Sequence, residues 1–169
     1  MNVVDTNFKK DYISLNIIKN LLSVILKILP TKIAYAHCDV PCGIYDPKSA
    51  QIAAAGVLKM VEKIINPPSR DEENVGSVIN FHNAMTRYVL VKEDQARICK
   101  TELLILWTDF FKEEHLETYP NLHDIFWKAA KLCSINKQEV SIEHAQELVK
   151  VVDEIANMFQ KAKNAAAKK

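Results

Sequence analysis

Glycine is scarce in this 169-residue chain. Gly43, Gly56 and Gly76 stand alone, so no glycine-rich loop that cradles phosphate can be written, and the common nucleotide enzymes are disfavoured. A basic excess is also missing. With 22 Lys and Arg against 21 Asp and Glu, the net charge is +1, and the basic residues do not interleave with aromatics, which argues against a nucleic-acid partner. No apolar run approaches the roughly 20 residues that span a bilayer. The longest, Leu21 to Leu29, is interrupted by Lys27, so no membrane anchor is expected. What is present is enough apolar residue, 49% of the chain, to build one domain with its own core.

The charge is unevenly divided. Residues 1–36 carry five lysines against Asp5 and Asp11, whereas the remainder carries a small negative excess. Lys9 and Lys10, the short apolar stretch, Pro30 and then Ala34-Tyr35-Ala36 outline a leader with an Ala-x-Ala cleavage site. Residues 1–36 are therefore expected to be a leader or propeptide, removed between Ala36 and His37. An amphipathic helix packed on the domain is the alternative.

The body reads as helices. Asp46-Pro47 is a helix start, and Ile52, Ala55, Val57, Leu58, Val61, Ile64 and Ile65 favour one face before Pro67-Pro68 stops the pattern near Asn66. From Val75 to Phe111 no proline intervenes, and the apolar spacing predicts one long helix in which a bend is allowed. Pro120 opens a third helix to about Ser134, and Ser141 caps a fourth that ends near Ala162. Residues 163–169 read as a solvated tail. With no convincing strand, the expected fold is all-α: an antiparallel four-helix bundle over 47–162 with an N-terminal metal-binding hook.

The hook is the segment His37-Cys38-Asp39-Val40-Pro41-Cys42-Gly43-Ile44-Tyr45-Asp46-Pro47. Pro41 and Gly43 suit a tight turn that folds Cys42 back toward Cys38. After cleavage at Ala36, the His37 amine, the His37–Cys38 peptide nitrogen and the Cys38 sulfur can close two adjacent five-membered chelate rings. The Cys42 sulfur can fill the fourth corner of that plane, and the His37 imidazole can approach from above. Planar nitrogen and sulfur donors suit Cu(II) or Ni(II), whereas zinc prefers a tetrahedron. Taken without their neighbours, the two cysteines would equally serve as a disulfide or as a copper-carrying pair. A structural bundle with a non-redox hook is the reading from another class, separated by the metal content of the mature chain.

The full run His-Cys-Asp-x-Pro-Cys-Gly-x-Tyr-Asp-Pro resembles the nickel hook of the nickel superoxide dismutase family. The similarity continues in Lys92-Glu93, in Leu106-Trp107-Thr108-Asp109-Phe110-Phe111-Lys112 and in Tyr119-Pro120-x-Leu122-His123. This resemblance implies a nickel cofactor, superoxide as substrate, and Ni(II)/Ni(III) cycling that yields dioxygen and hydrogen peroxide. It implies His37, Cys38 and Cys42 as metal ligands, with His37 also catalytic, Tyr45 as the gatekeeper over the open face, and Pro41 as the residue setting the turn. The backbone amides of Asp39 and Cys42 would lie near substrate and sulfurs. It further implies a homohexamer and a maturation peptidase that frees the His37 amine. Many members work in the cytoplasm, so cytoplasmic location is expected, with export as the alternative if the leader is secretory. Where some members carry a Glu and an Arg that hold the histidine ring, this sequence has Ala53 and Gln95.

Cys99 and Cys133 lie in apolar helical stripes and are expected to be buried thiols. His82, His115, His123 and His144 lack ligand spacing and are expected at the surface or an interface. Trp107, Phe110, Phe111, Phe126 and Trp127 are expected in the core or at subunit contacts, and Glu113-Glu114 and Lys168-Lys169 in solvent.

Overall fold

The structure, a computed structural model, describes residues 44–166. Among them are four α-helices and no strand: α1 (Lys48–Ile65), α2 (Val75–Ile105), α3 (Leu122–Gln138) and α4 (Ile142–Ala166). The leader, the segment 37–43 and the last three residues lie outside the described residues.

Three of the four helices begin where the sequence supplies side-chain partners for orphan amides. The Asp46 carboxylate accepts from the Lys48 amide at 2.7 Å, and Pro47 occupies the position just before α1. Asn74 accepts from the Ser77 amide at the start of α2, and Ser141 Oγ accepts from the His144 amide at the start of α4. Such caps contribute about 1 kcal/mol each. Helix α3 begins two residues beyond Pro120 and runs to Gln138, four residues past the expected end. Helix α4 extends to Ala166 rather than Ala162.

Neighbouring helices run in opposite directions, as their partners show. Lys63 lies over the Tyr88 ring while Gly56 faces Gln95; Lys100 meets Ser134 while Trp107 meets His123. Helix α4 packs on both α1 and α3, which closes an up-down-up-down bundle. The core is drawn from all four helices, with Val57, Val61, Leu103, Phe126, Leu148, Val152, Ile155 and Phe159 almost wholly excluded from solvent. Burial of each large aliphatic or aromatic group is worth about 1.5–3 kcal/mol.

The inward faces of α3 and α4 carry Leu122, Phe126, Ala129 and Leu132, and Ala145, Leu148, Val152, Ile155 and Phe159, at the helical spacing of an apolar stripe. The expected stripe of α1 does not match fully. Ala50, Ala53, Ala54, Val57 and Val61 form the inner face of α1, and Ile52 is 59% exposed. On α2 the inner face is Lys92, Ala96, Cys99 and Leu103, while Ile79 and Leu90 point outward. Small residues line α1 because α2 comes close: a Cβ on Gly56 would lie 2.9 Å from the Gln95 side-chain oxygen.

Lys92 is the only fully buried cation among the described residues. Its Nζ donates to the backbone oxygens of Asn136, Lys137 and Glu139, three carbonyls at the end of α3 that have no partner within the helix. Burial pulls its pKa below the usual lysine value, and Glu93 pulls it partly back. The helix-end carbonyls and the α3 dipole compensate the buried charge. Lys92→Met is expected to leave these carbonyls unpaired and to lower the unfolding free energy by about 3 kcal/mol, measured by denaturant melts followed by far-UV circular dichroism.

Candidate metal centre

Helix α2 does not continue smoothly to Phe111. Over Leu106–Phe110 the chain widens into one π-helical turn, in which the Phe111 amide reaches the Leu106 carbonyl at 3.0 Å. Thr108 Oγ1 donates to the Leu104 carbonyl at 2.8 Å and lies 2.8 Å from Asp109 Oδ1. The extra residue in the turn lets both Leu106 and Phe111 face inward, while Phe110 is left at the border of the core. Such turns are frequent at functional sites.

Phe110 is where Tyr45, just ahead of α1, meets the bundle. Ile44 is 71% exposed, whereas Tyr45 is half-buried and sets its ring edge-on to Phe110, with centroids 6.2 Å apart. Phe110 also packs on Phe159 of α4 at 4.2 Å, on Phe111 and parallel to the His115 ring. Beneath it, Phe111 meets Phe126 edge-on, and Trp107 stacks flat on Phe126. Edge-to-face and offset pairs of this kind are worth about 1 kcal/mol each beyond area burial.

The histidines near this end already have partners. His115 Nδ1 accepts from the Lys112 amide at 2.9 Å and closes the short turn Glu113–Leu116. His123 Nδ1 accepts from the Trp107 indole at 2.8 Å, so its neutral form carries the proton on Nε2. His82 is exposed and lies against Phe81; His144 is half-buried beside Glu139. Among the described residues, no three His, Cys, Asp or Glu side chains converge on a possible metal position. Their two cysteines, Cys99 and Cys133, are buried free thiols.

Of the sequence-predicted site residues, Tyr45 therefore sits against the ring cluster, while His37, Cys38 and Cys42 lie outside the described residues. Ala53 is buried on α1 and Gln95 lies across Gly56, so both departures fall at the α1–α2 contact. Trp127, expected in the core or at a subunit contact, is 59% exposed with Lys131 over its ring. Sequence reasoning did not assign Phe110 and His115 to the surroundings of Tyr45. The signal available was the apolar run through Trp107, Phe110 and Phe111, which carries no mark of the π turn. No helix among the described residues is long and apolar enough to cross a membrane.

The profile of the nickel-containing superoxide dismutase family matches residues 32–163. The nickel superoxide dismutase of Streptomyces seoulensis is 34% identical over 130 residues, covering 77% of this chain and 90% of that protein; that of Streptomyces coelicolor is 32% identical over the same coverage. The solved native nickel superoxide dismutase superposes with a TM-score of 0.63 at 30% identity, covering 76% of this chain and 99% of that one. An oxidised-state structure gives the same TM-score at 31% identity. The chain belongs to the nickel-containing superoxide dismutase family. Its activity is accordingly that of an oxidoreductase that converts superoxide to dioxygen and hydrogen peroxide with nickel as cofactor.

Phe110→Ala removes the ring on which Tyr45, His115 and Phe159 converge. It is expected to cost about 2–3 kcal/mol, somewhat less than a fully buried phenylalanine, and to change the near-UV circular dichroism of the aromatic cluster while the far-UV helical signal persists.

Proposed function

We propose that the nickel ion is held by His37, Cys38 and Cys42 after cleavage between Ala36 and His37, and that Tyr45 guards the approach of superoxide. The observation that carries this reading is chemical: the segment 37–42 combines a potential terminal amine, an imidazole, an ionisable peptide nitrogen and two thiols, and no competing donor cluster occurs among the described residues. That donor set fits nickel. Anionic sulfur and amidate donors stabilise a higher oxidation state that water or imidazole alone would not. The bound metal supplies a one-electron couple lying between oxidation and reduction of superoxide.

The chain's own residues have three tasks. The two thiols and the peptide nitrogen must stay deprotonated, which a metal-bound state favours. Uptake of two protons accompanies formation of hydrogen peroxide, and the Tyr45 hydroxyl is suited to ordering solvent or substrate. The ring cluster at Phe110 restrains the Tyr45 side chain so that its hydroxyl need not be ordered anew at each encounter. A small anion needs little binding surface, so a deep pocket is not required.

Removal of the leader follows from the same chemistry. With Ala36 attached, the His37 nitrogen is an amide and a poor donor. The cut chain is expected to bind one nickel and to be active, and the intact 169-residue chain to be inactive; mass spectrometry, metal analysis and a superoxide-consumption assay on both forms check this. Cys38→Ser or Cys42→Ser should abolish activity with the bundle folded. Tyr45→Phe should keep nickel and alter the rate or its pH dependence. Equal activity of the cut and intact chains would overturn the ligand assignment.

We also propose that the active form is a homohexamer. A dithiolate that works beside hydrogen peroxide needs cover against oxidation, and outward aliphatic groups such as Ile52, Ile79 and Leu90, together with Trp127, are candidates for contact between chains. Sedimentation of the cleaved, nickel-loaded protein should give a mass near six chains. The location proposed is the cytoplasm, whose reducing interior keeps two thiols available as ligands.

A further inference from the structure

Two other thiols remain unused by this chemistry. Cys99 on α2 and Cys133 on α3 have no solvent exposure, and the contact between their sequence neighbours, Lys100 and Ser134, at 3.1 Å sets them level with each other across the two antiparallel helices. An isolated buried cysteine is a small apolar residue. A pair buried at the same level of two facing helices is different, because two such thiols need only lose two hydrogens to be joined. The enzyme's reaction releases the oxidant that can take them.

We propose that Cys99 and Cys133 are a peroxide-oxidised dithiol, converted by the enzyme's own product into a disulfide that ties α2 to α3. The proposal rests on the dismutase activity for its source of peroxide but not on the identity of the nickel ligands.

The two thiols are unequal. The contact with Cys99 and the nearby Lys100 ammonium lower the pKa of Cys133, whereas the contact with Cys133 and burial raise that of Cys99. The Lys100 ammonium, hydrogen-bonded to Ser134 next to Cys133, favours the Cys133 thiolate, so Cys133 serves as the nucleophile. Its thiolate attacks one oxygen of hydrogen peroxide: the S–O bond forms, the O–O bond breaks, and the departing hydroxide takes up the proton that Cys133 released, giving water. The Cys99 sulfur then attacks the Cys133 sulfenic sulfur. The S–S bond forms, the S–O bond breaks, and the leaving hydroxide carries off the Cys99 proton as a second water. Two electrons pass from the thiols to one peroxide.

A surface cleft of about 560 Å³ lies between α2 and α3 and gives the proposed route of entry, although neither cysteine lines it. Among its lining residues are Lys100 and Ser134, each next in sequence to one of the cysteines, and their side chains meet at 3.1 Å across the helix gap. Local opening of that single hydrogen bond admits a molecule little larger than water. Full burial makes the reaction slow compared with dismutation, which suits a response to accumulated product.

The test uses the cleaved, nickel-loaded enzyme in three portions: untreated, treated with hydrogen peroxide, and supplied with a superoxide generator. Digestion without reductant should yield a linked peptide pair containing Cys99 and Cys133 in both treated portions, lighter by two hydrogens than the separate peptides. The melting temperature should rise by about 10 °C and return after dithiothreitol. Cys133→Ala and Cys99→Ala should each lose the link and the shift. The added-peroxide portion needs no dismutase activity, so a link there and not with the generator would fault the supply of product rather than the dithiol. If both thiols stay fully alkylatable in denaturant after peroxide, or reach sulfinic acid without linking, the proposal is overturned.

Discussion

The aromatic end of this bundle is organised around one backbone bond, from the Phe111 amide to the Leu106 carbonyl. A regular helix would bond Phe111 one residue later and present Phe110 and Phe111 at the usual 100° interval. The wider turn keeps Phe111 in the core and leaves Phe110 at its edge, where Tyr45, His115 and Phe159 converge. The first described residue to grip the bundle after the cysteine-bearing segment is thus held by a local irregularity. Its cost is spread over the packing of four aromatic rings.

The opposite end of α3 is secured by different physics. There a buried ammonium, Lys92, satisfies three carbonyls at once. Asn136 donates to the Leu132 and His144 carbonyls and joins the last turn of α3 to the first of α4. One end of the bundle is held by rings and the other by charge and amide groups. Among the described residues this division leaves the aromatic end free of buried ions.

The helices were legible in the sequence because caps and breakers punctuate it: Asp46-Pro47, Ser141 and the Pro67-Pro68 pair each mark a real boundary or lie beside one. The ligand candidates were legible for another reason. A histidine, two thiols and a tight turn in eleven residues form a constellation that core packing does not call for. What was hidden has physical causes. Ile52, Ile79 and Leu90 look like core by type, but the inner faces of α1 and α2 are filled by alanines, Cys99 and the stem of Lys92, because closely spaced helices select small or slender side chains. The π turn was hidden because hydrogen-bond length along a helix leaves no periodic trace over five residues. Pairing of Cys99 with Cys133 depends on α2–α3 register, which no local pattern records.

Close spacing of α1 and α2 at Gly56 has a mechanical side. The Gln95 side chain packs directly on the α1 backbone there, 2.9 Å from where a Gly56 β-carbon would stand, and that point acts as a fulcrum. The first turn of α1, beside Tyr45, is about 12 Å away along the axis at 1.5 Å per residue. A small tilt about the fulcrum is therefore delivered at Tyr45 as a displacement several times that of the residues near Gly56. An alteration far from the metal segment, at a position with no chemistry of its own, can steer where that tyrosine stands.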